Sequence, residues 1–395
     1  MNKKNFIIHL KNIFSNKWKY GNTVLFLAIL VCFSLIAYYH LSLSFSMSSD
    51  SVRFSRWADD LIKLNFNFIE FYSIDKASHR PSLFFFSVPV FFISLCKVVF
   101  INEWQFAFLI FNLILVFFSL LTFVKILLLI EVRPIFILAT LPIITISVDI
   151  LVWPRFILSD MLYVFLVIVA SYSVIKITIK DKINIFEIVV IIFLLLASRP
   201  SSIPIVSAII FFIAIYKLKI FSLKKNILLF LSGLILLMPI ILATMYSVIE
   251  FNLSGIPKID FLTHMVKKGM IIHDRPDTWV DTPSNFIDVM FIYFLRLINF
   301  FNPYASTFSI LHITINIFHT LLIFLSICAW SFFNIQIKIQ DRIFFFIIIL
   351  SLFVDTFHSF ILIDYDWRYR FPIILPLLLL FPISLEIIIR KINLK

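Results

Sequence analysis

Glycine is almost missing from this chain. Gly21, Gly233, Gly255 and Gly269 are the only four in 395 residues, and they stand far apart. Dinucleotide fingerprints and Walker loops need clustered glycines where backbone meets phosphate, so neither can be assembled. GxxxG helix packing is excluded for the same reason. Charge is scarce too, at 14% of residues against about 25% in an average soluble protein. Cysteine is limited to Cys32, Cys96 and Cys328, each inside an apolar run, which leaves no disulfide framework and no zinc ligand set. What fills the chain instead is apolar: 62% of residues are hydrophobic and 50 are phenylalanine. Water cannot be the solvent for that much apolar surface on a chain of this length. The composition therefore predicts an all-α polytopic membrane protein, a single integral-membrane domain over 1–395, at about 20 apolar residues per crossing. The formal charge of +12 then reflects the positive-inside rule and not a nucleic-acid partner.

Charge placement orients the spans. Lys3, Lys4, Lys11, Lys17 and Lys19 precede any acid and place the N-terminus on the cytoplasmic side. The apolar stretch 23–45 is too long for a signal peptide and lacks a small-residue cleavage site, so it reads as the first span. Arg390, Lys391 and Lys395 put the C-terminus inside as well. Inner loops are marked by Lys176, Lys180 and Lys182, by Lys217, Lys219, Lys224 and Lys225, and by Lys338 and Arg342. Asp160, Arg199 and the loop 250–285 then fall outside. Between Arg80 and Asp160 stand three apolar segments, near 82–101, 104–130 and 134–152, of which an even number must cross. The stretch 286–301 carries Asp288 and Arg296 and fits an interfacial helix better than a span. The expectation is about 10 transmembrane helices, with interfacial helices in a first outer loop (46–80) and a large one (250–301).

The unusual polar residues gather on the outer face, where working groups mark a site. Apolar residues at 54, 57, 58, 61 and 62 recur at helical spacing, which predicts an amphipathic helix just beyond the first span. Asp50 stands at its start, either as its N-cap or as a carboxylate able to take a proton from a hydroxyl. His79-Arg80-Pro81 precedes the next apolar segment, with Arg80 either snorkelling or holding a phosphate. Trp153-Pro154-Arg155 comes next, and Asp160 opens an apolar run. Capping by Ser159 or Asp160, or a pairing of Asp160 with Arg155, is the alternative to a chemical role. Ser198-Arg199-Pro200 sits between two tight spans, and Arg368-Tyr369-Arg370-Phe371-Pro372 leads into the C-terminal one. Arginine beside aromatic rings suits a phosphate or a stacked sugar, and equally an interfacial belt. The large loop reads as a polar loop or substrate lid. It contains no HExxH or DxD spacing, so no metal ligands are assigned. His312 and His319, two turns apart, read as packed core histidines or as cavity lining.

In this order the motifs resemble the integral-membrane glycosyltransferases of the GT-C fold, the group that includes protein mannosyltransferases and aminoarabinose transferases. The similarity covers residues 1–215 and 343–385. It rests on the acid after the first span, the interfacial helix, Arg-Pro, Trp-Pro-Arg-x4-Asp, Ser-Arg-Pro and Arg-Tyr-x-x-Pro. The resemblance implies Asp50 as catalytic base and Asp160 as a second catalytic acid of the outer loops. It implies Arg155, Arg199 and Arg368 as holders of the donor phosphate, with His79, Arg80 and Tyr369 alongside. The implied donor is a polyprenyl-phosphate-linked sugar, and the acceptor a glycan or lipid hydroxyl. The setting is the outer leaflet of a bacterial inner membrane, in surface polysaccharide or glycolipid assembly. Asp50 is followed by Ser51, where such enzymes often carry an acidic pair, so a divalent cation stays an open alternative to no cofactor. Two rivals stand beside this reading: an O-antigen or capsule polymerase using diphosphate-linked repeats, and a lipid-sugar flippase. Arg275 as the one arginine in 250–285 weighs against the first. The one-sided gathering of polar residues weighs against the second.

Overall fold

The computed structural model describes residues 21–73, 83–217, 265–266, 268–272, 275–305, 308–332, 338–360 and 369–393. Among them the secondary structure is helical, and the one β contact is an isolated parallel bridge between Ser46 and Phe156. Helix α1 (Gly21–Leu43) buries Leu25, Ile29, Cys32, Ile36 and His40, a single stripe at helical spacing. Its other faces are apolar and exposed, which in lipid is their proper solvent.

The amphipathic helix is present as α2 (Ser49–Lys63), with Phe54, Ala58 and Leu61 buried. A short α3 (Phe68–Ser73) follows, then α4 (Ser87–Phe100) and α5 (Trp104–Leu129). Ile101, with φ 27° and ψ −82°, breaks the chain between the last two. The break folds α4 back along α5: the rings of Phe92 and Phe111 stack at 4.5 Å, and the Lys97 ammonium lies 4.7 Å from the Trp104 ring. Helix α4 is also tied to α2. Lys97 Nζ donates to Ser55 O at 3.0 Å and to Asp59 at 2.7 Å, and Ser94 Oγ donates to Ala58 O. Phe54, Leu61, Phe71, Val90, Ile93 and Phe108 form an apolar core separate from that of the bundle. At 14 residues α4 is about 21 Å long, short of a bilayer core. Of the three apolar segments before Asp160, the first is thus the one that joins the amphipathic platform.

Among the described residues, seven helices are long and apolar enough to cross a membrane, or eight if a bent pair counts as one span. That pair is α6 (Pro134–Thr145) and the segment Val148–Arg155, which contains α7 (Val148–Val152), with a 50° bend between them. Helix α6 runs through Pro142 and ends at Thr145, so the bend falls at Ile146 and Ser147. The count is below the ten expected. Helix α9 (Ile185–Leu196) has only 12 residues, and the crossing read from the sequence between Lys225 and Glu250 lies outside the described residues.

Helix α8 (Asp160–Lys180) is the axis of the bundle. It packs against α5, α9, α10 (Ile203–Lys217), α13 (Lys338–Phe360) and α14 (Phe371–Leu378). Helix α12 (Ile310–Phe332) leans on α15 (Leu380–Asn393), and α1 on α6, at the periphery. Helix α11 (Phe286–Phe300) packs on α13 with Arg296 turned inward and fully buried. Its outward stripe is Ile287, Phe291, Phe294 and Ile298. At its N-terminus the Ser284 N–H and hydroxyl bind Asp288 and hold that carboxyl below the usual carboxylate range.

One end of the bundle is closed by a charged clamp. Glu386 of α15 is fully buried and accepts from the Arg133 N–H at 3.0 Å. It also pairs with the Arg133 guanidinium at 3.3 Å and with Arg390 at 2.7 Å. Arg390 reaches on to Glu131 O, and Gln340 to Ile130 O, so the turn between α5 and α6 is held from two sides.

Candidate functional site

At the opposite end, the C-terminus of α1, the bend at Trp153–Arg155, the start of α8, the turn Pro200–Ser202, the end of α13 and the residues just before α14 converge. Asp160 is 1% exposed and Arg199 7%. The two form a buried ion pair across 39 positions of sequence. The expected pairing of Asp160 with Arg155 is therefore corrected: the carboxylate faces the turn that brings Arg199 over α8, not the arginine five residues before it. Ser159 at the N-cap makes no side-chain capping bond, so capping does not account for this corner. Beside the pair, Tyr163 donates its hydroxyl to Ser201 O at 2.7 Å, and Ser202 Oγ donates to Arg199 O.

The Arg199 guanidinium also lies 5.4 Å from the centre of the Tyr369 ring. Tyr369 in turn lies 4.6 Å from the ring of His358, which stacks on Phe300 at 5.8 Å and 8°. Arg296 Nε donates to Ser359 O, one residue on, so α11 touches this corner through residues four apart. A row of Asp160, Arg199, Tyr369, His358 and Phe300 thus links α8, the Arg199 turn, the residues just before α14, α13 and α11. Arg370 points elsewhere, donating to Asn302 O.

A second cluster surrounds the Trp153–Arg155 turn. Asn112 of α5 donates both amide hydrogens, to Pro154 O at 2.9 Å and Phe156 O at 3.1 Å. The Ser46 N–H donates to Arg155 O at 2.8 Å, Trp153 Nε1 bonds Asp149, and the His40 ring bonds Ile150 O at 2.8 Å. The turn is therefore held from α1, α5 and the linker between α1 and α2. Arg155 itself has no hydrogen bond or ion pair among the described residues; its Nε is buried without a partner, and the guanidinium lies 5.5 Å from the Phe156 ring.

Asp50 sits in the first turn of α2, and the cap reading is corrected. Ser48 is the N-cap, in a reciprocal box with Ser51, and Asp50 instead pairs with Arg53 at 2.6 Å. Its side chain is 33% exposed. The linker that carries it runs beside the Arg155 turn through the Ser46 bridge. His79, Arg80 and Arg368 lie outside the described residues. Of the large loop, Met265, Val266, Met270, Ile271 and Ile272 pack into the bundle core. His319 bonds Ile143 O at 3.1 Å, as a packed core histidine does, while His312 stacks on Phe308.

The end that gathers these residues also gathers buried polar atoms with no hydrogen-bond partner. They include His40 Nδ1, Asn112 Oδ1, Ser147 Oγ, Ser159 Oγ, Ser201 Oγ, Thr356 Oγ1 and His358 Nδ1. Such atoms are few in native proteins and each needs a reason; their clustering at one end fits a place where a polar ligand enters. Three residues here escaped the sequence reading. His40 and Asn112 are each a lone polar side chain inside an apolar run, and His358 stands near the end of one. The available signal was that a polar group in a span is costly and earns a functional hypothesis.

Asp50 and Asp160 are each committed to an arginine. Among the described residues no three His, Cys, Asp or Glu side chains converge as metal ligands. No step is therefore routed through a divalent cation. No family model, no curated protein and no solved structure matches the chain. Fold and site together describe a helical, multi-pass membrane protein with a polar, arginine-bearing corner at one end of its bundle.

Proposed function

We propose that this chain is a membrane glycosyltransferase. It moves a sugar from a polyprenyl-phosphate donor to an acceptor hydroxyl at the outer face of a bacterial inner membrane, in surface polysaccharide or glycolipid assembly. The observation that carries the reading is Arg155. A guanidinium with a buried Nε and no partner among the described residues is held in place by bonds to its own turn from Asn112 and Ser46. On a partly buried guanidinium, an Nε shut off from water and left unpaired suits an anion that arrives with a ligand. A lipid-linked donor brings its phosphate along the membrane, and the scarcity of glycine already excludes the loops that hold nucleotide donors.

Arg155 takes the phosphate in this reading, and its charge stabilises the leaving group as the bond from the anomeric carbon to phosphate oxygen breaks. The acceptor oxygen attacks that carbon from the opposite side, which inverts its configuration. The acceptor proton passes to the carboxylate of Asp50, which Arg53 holds in place at the start of α2. The polyprenyl phosphate departs with the electron pair. Arg199 is neutralised by Asp160 and shapes the floor of the site with Tyr369, so the main phosphate charge falls to Arg155.

The test is transfer by purified protein from radiolabelled polyprenyl-phosphate sugars, run beside diphosphate-linked oligosaccharides. Monophosphate-dependent transfer is expected, with none from Asp50→Asn that inserts normally. Full activity in that variant would remove Asp50 from the base role, and long-chain product from the diphosphate donor alone would replace the reading with a polymerase.

A further inference from the structure

His40 closes the exposed end of α1 with no exposed surface at all. Its Nε2 lies 2.8 Å from the Ile150 carbonyl oxygen. A carbonyl oxygen only accepts, so Nε2 carries the ring proton and the neutral imidazole keeps a lone pair on Nδ1. That Nδ1 is buried and has no partner. The bond to Ile150 accounts for one nitrogen, as a tether from α1 to α7, and leaves the other unexplained.

Its surroundings supply a reason. The Ser46 N–H, six residues on, bonds Arg155 O, and Asn112 fixes the carbonyls on either side of Arg155. Ile150, to which His40 is tied, and Arg155 stand five residues apart in the one bent segment Val148–Arg155. A fixed acceptor therefore stands beside a fixed, unpartnered cation. The ligand that satisfies both offers a hydroxyl next to an anion, which is the chemistry of a sugar carried on a phosphate ester. An orienting partner behind one ring nitrogen, with the other left free, is how a histidine is aimed at a substrate.

We propose that His40 touches the substrate, with Nδ1 accepting a hydrogen bond from a hydroxyl of the sugar whose phosphate Arg155 holds. This rests on the transferase reading and adds to it the residue that distinguishes a sugar-bearing lipid from the bare lipid phosphate.

The experiment measures equilibrium binding to the full chain in lipid nanodiscs. The probes are radiolabelled polyprenyl phosphate and its mannosyl, glucosyl, galactosyl and aminoarabinosyl derivatives. Glutamine places an amide N–H near Nε2 and nothing at Nδ1, so His40→Gln keeps the tether and removes the acceptor. It is expected to weaken the best-bound glycosylated lipid about tenfold, the worth of one hydrogen bond, and to leave polyprenyl phosphate unchanged. Arg155→Ala is expected to weaken both. Asparagine puts an amide oxygen near Nδ1, so His40→Asn is expected to retain the preference for the glycosylated lipid while losing the Ile150 bond. His40→Gln binding both lipids as wild type does, or losing both equally, overturns the proposal. If His40→Gln does not fold, loss of the sugar preference in a folded His40→Asn overturns it instead. Wild-type protein that binds none of the lipids removes the transferase reading itself, and this inference with it, a result distinct from normal binding with an unaltered sugar preference.

Discussion

The buried pair of Asp160 and Arg199 makes a strong demand on the fold and can be interrogated by a double-mutant cycle. Asp160→Ala leaves a guanidinium that is 7% exposed without its carboxylate. Breaking such a pair costs about 3–5 kcal/mol. At about 1.4 kcal/mol per factor of ten, the folding equilibrium shifts by between roughly a hundredfold and a few thousandfold. Arg199→Met leaves the carboxylate stranded at 1% exposure and also removes the cation from the Tyr369 ring, so its cost is at least as large. The double variant strands neither charge. It should be more stable than the two single losses add up to, with a coupling energy of at least about 2 kcal/mol. The assay is reversible unfolding of the purified protein in mixed micelles, followed by helical circular dichroism as the denaturing detergent fraction rises. Tyr369→Phe keeps the aromatic face and is expected to change little, which separates the ring's contribution from that of the ion pair. A coupling energy below about 0.5 kcal/mol, within ordinary additivity, would show that the pair does not hold this corner together and would refute the reasoning.

Two further outcomes follow from bonds already described. Asn112→Ala frees the Pro154 and Phe156 carbonyls and should lower stability by about 2 kcal/mol for two bonds, read as a fall in thermal midpoint; no fall would mean that the turn is held from elsewhere. Gly269 adopts φ +71°, and a Cβ there would stand 2.0 Å from Val280 O. Gly269→Ala should therefore release the loop from the bundle, seen as faster limited proteolysis within 265–285 at unchanged helix content.

Much of the architecture was legible in composition and periodicity, because a helix in lipid declares itself by length and a helix at a surface by spacing. Phe54, Ala58 and Leu61 were expected on one face of an amphipathic helix, and they are buried on one face. The sequence left the cap of that helix open, because Ser48, Ser49, Asp50 and Ser51 are all residues that cap and local chemistry does not rank them. Asp160 was matched with Arg155 because sequence nearness is visible and tertiary nearness is not; Arg199 reaches it only once α8 and the Pro200–Ser202 turn are packed. His40 and Asn112 were hidden by their neighbours. An apolar run reads as a span whether or not one residue within it turns a polar group toward the protein. Parity showed only that an even number of the three segments 82–101, 104–130 and 134–152 could cross; packing shows that α4, in the first of them, has the amphipathic helix as its partner.

The clamp at the other end of the bundle has a consequence for biogenesis. Arg133 meets Glu386 across 253 positions, so the turn after α5 leaves the ribosome long before its counter-charge exists. Until α15 inserts, Arg133 can stay at the aqueous boundary. Glu386 by contrast is fully buried and must find both arginines as it enters. Assembly of this end is therefore a late event that closes the bundle there from the C-terminal side. A quality-control protease that surveys unfinished membrane proteins would find the turn between α5 and α6 open throughout synthesis and shielded only afterwards.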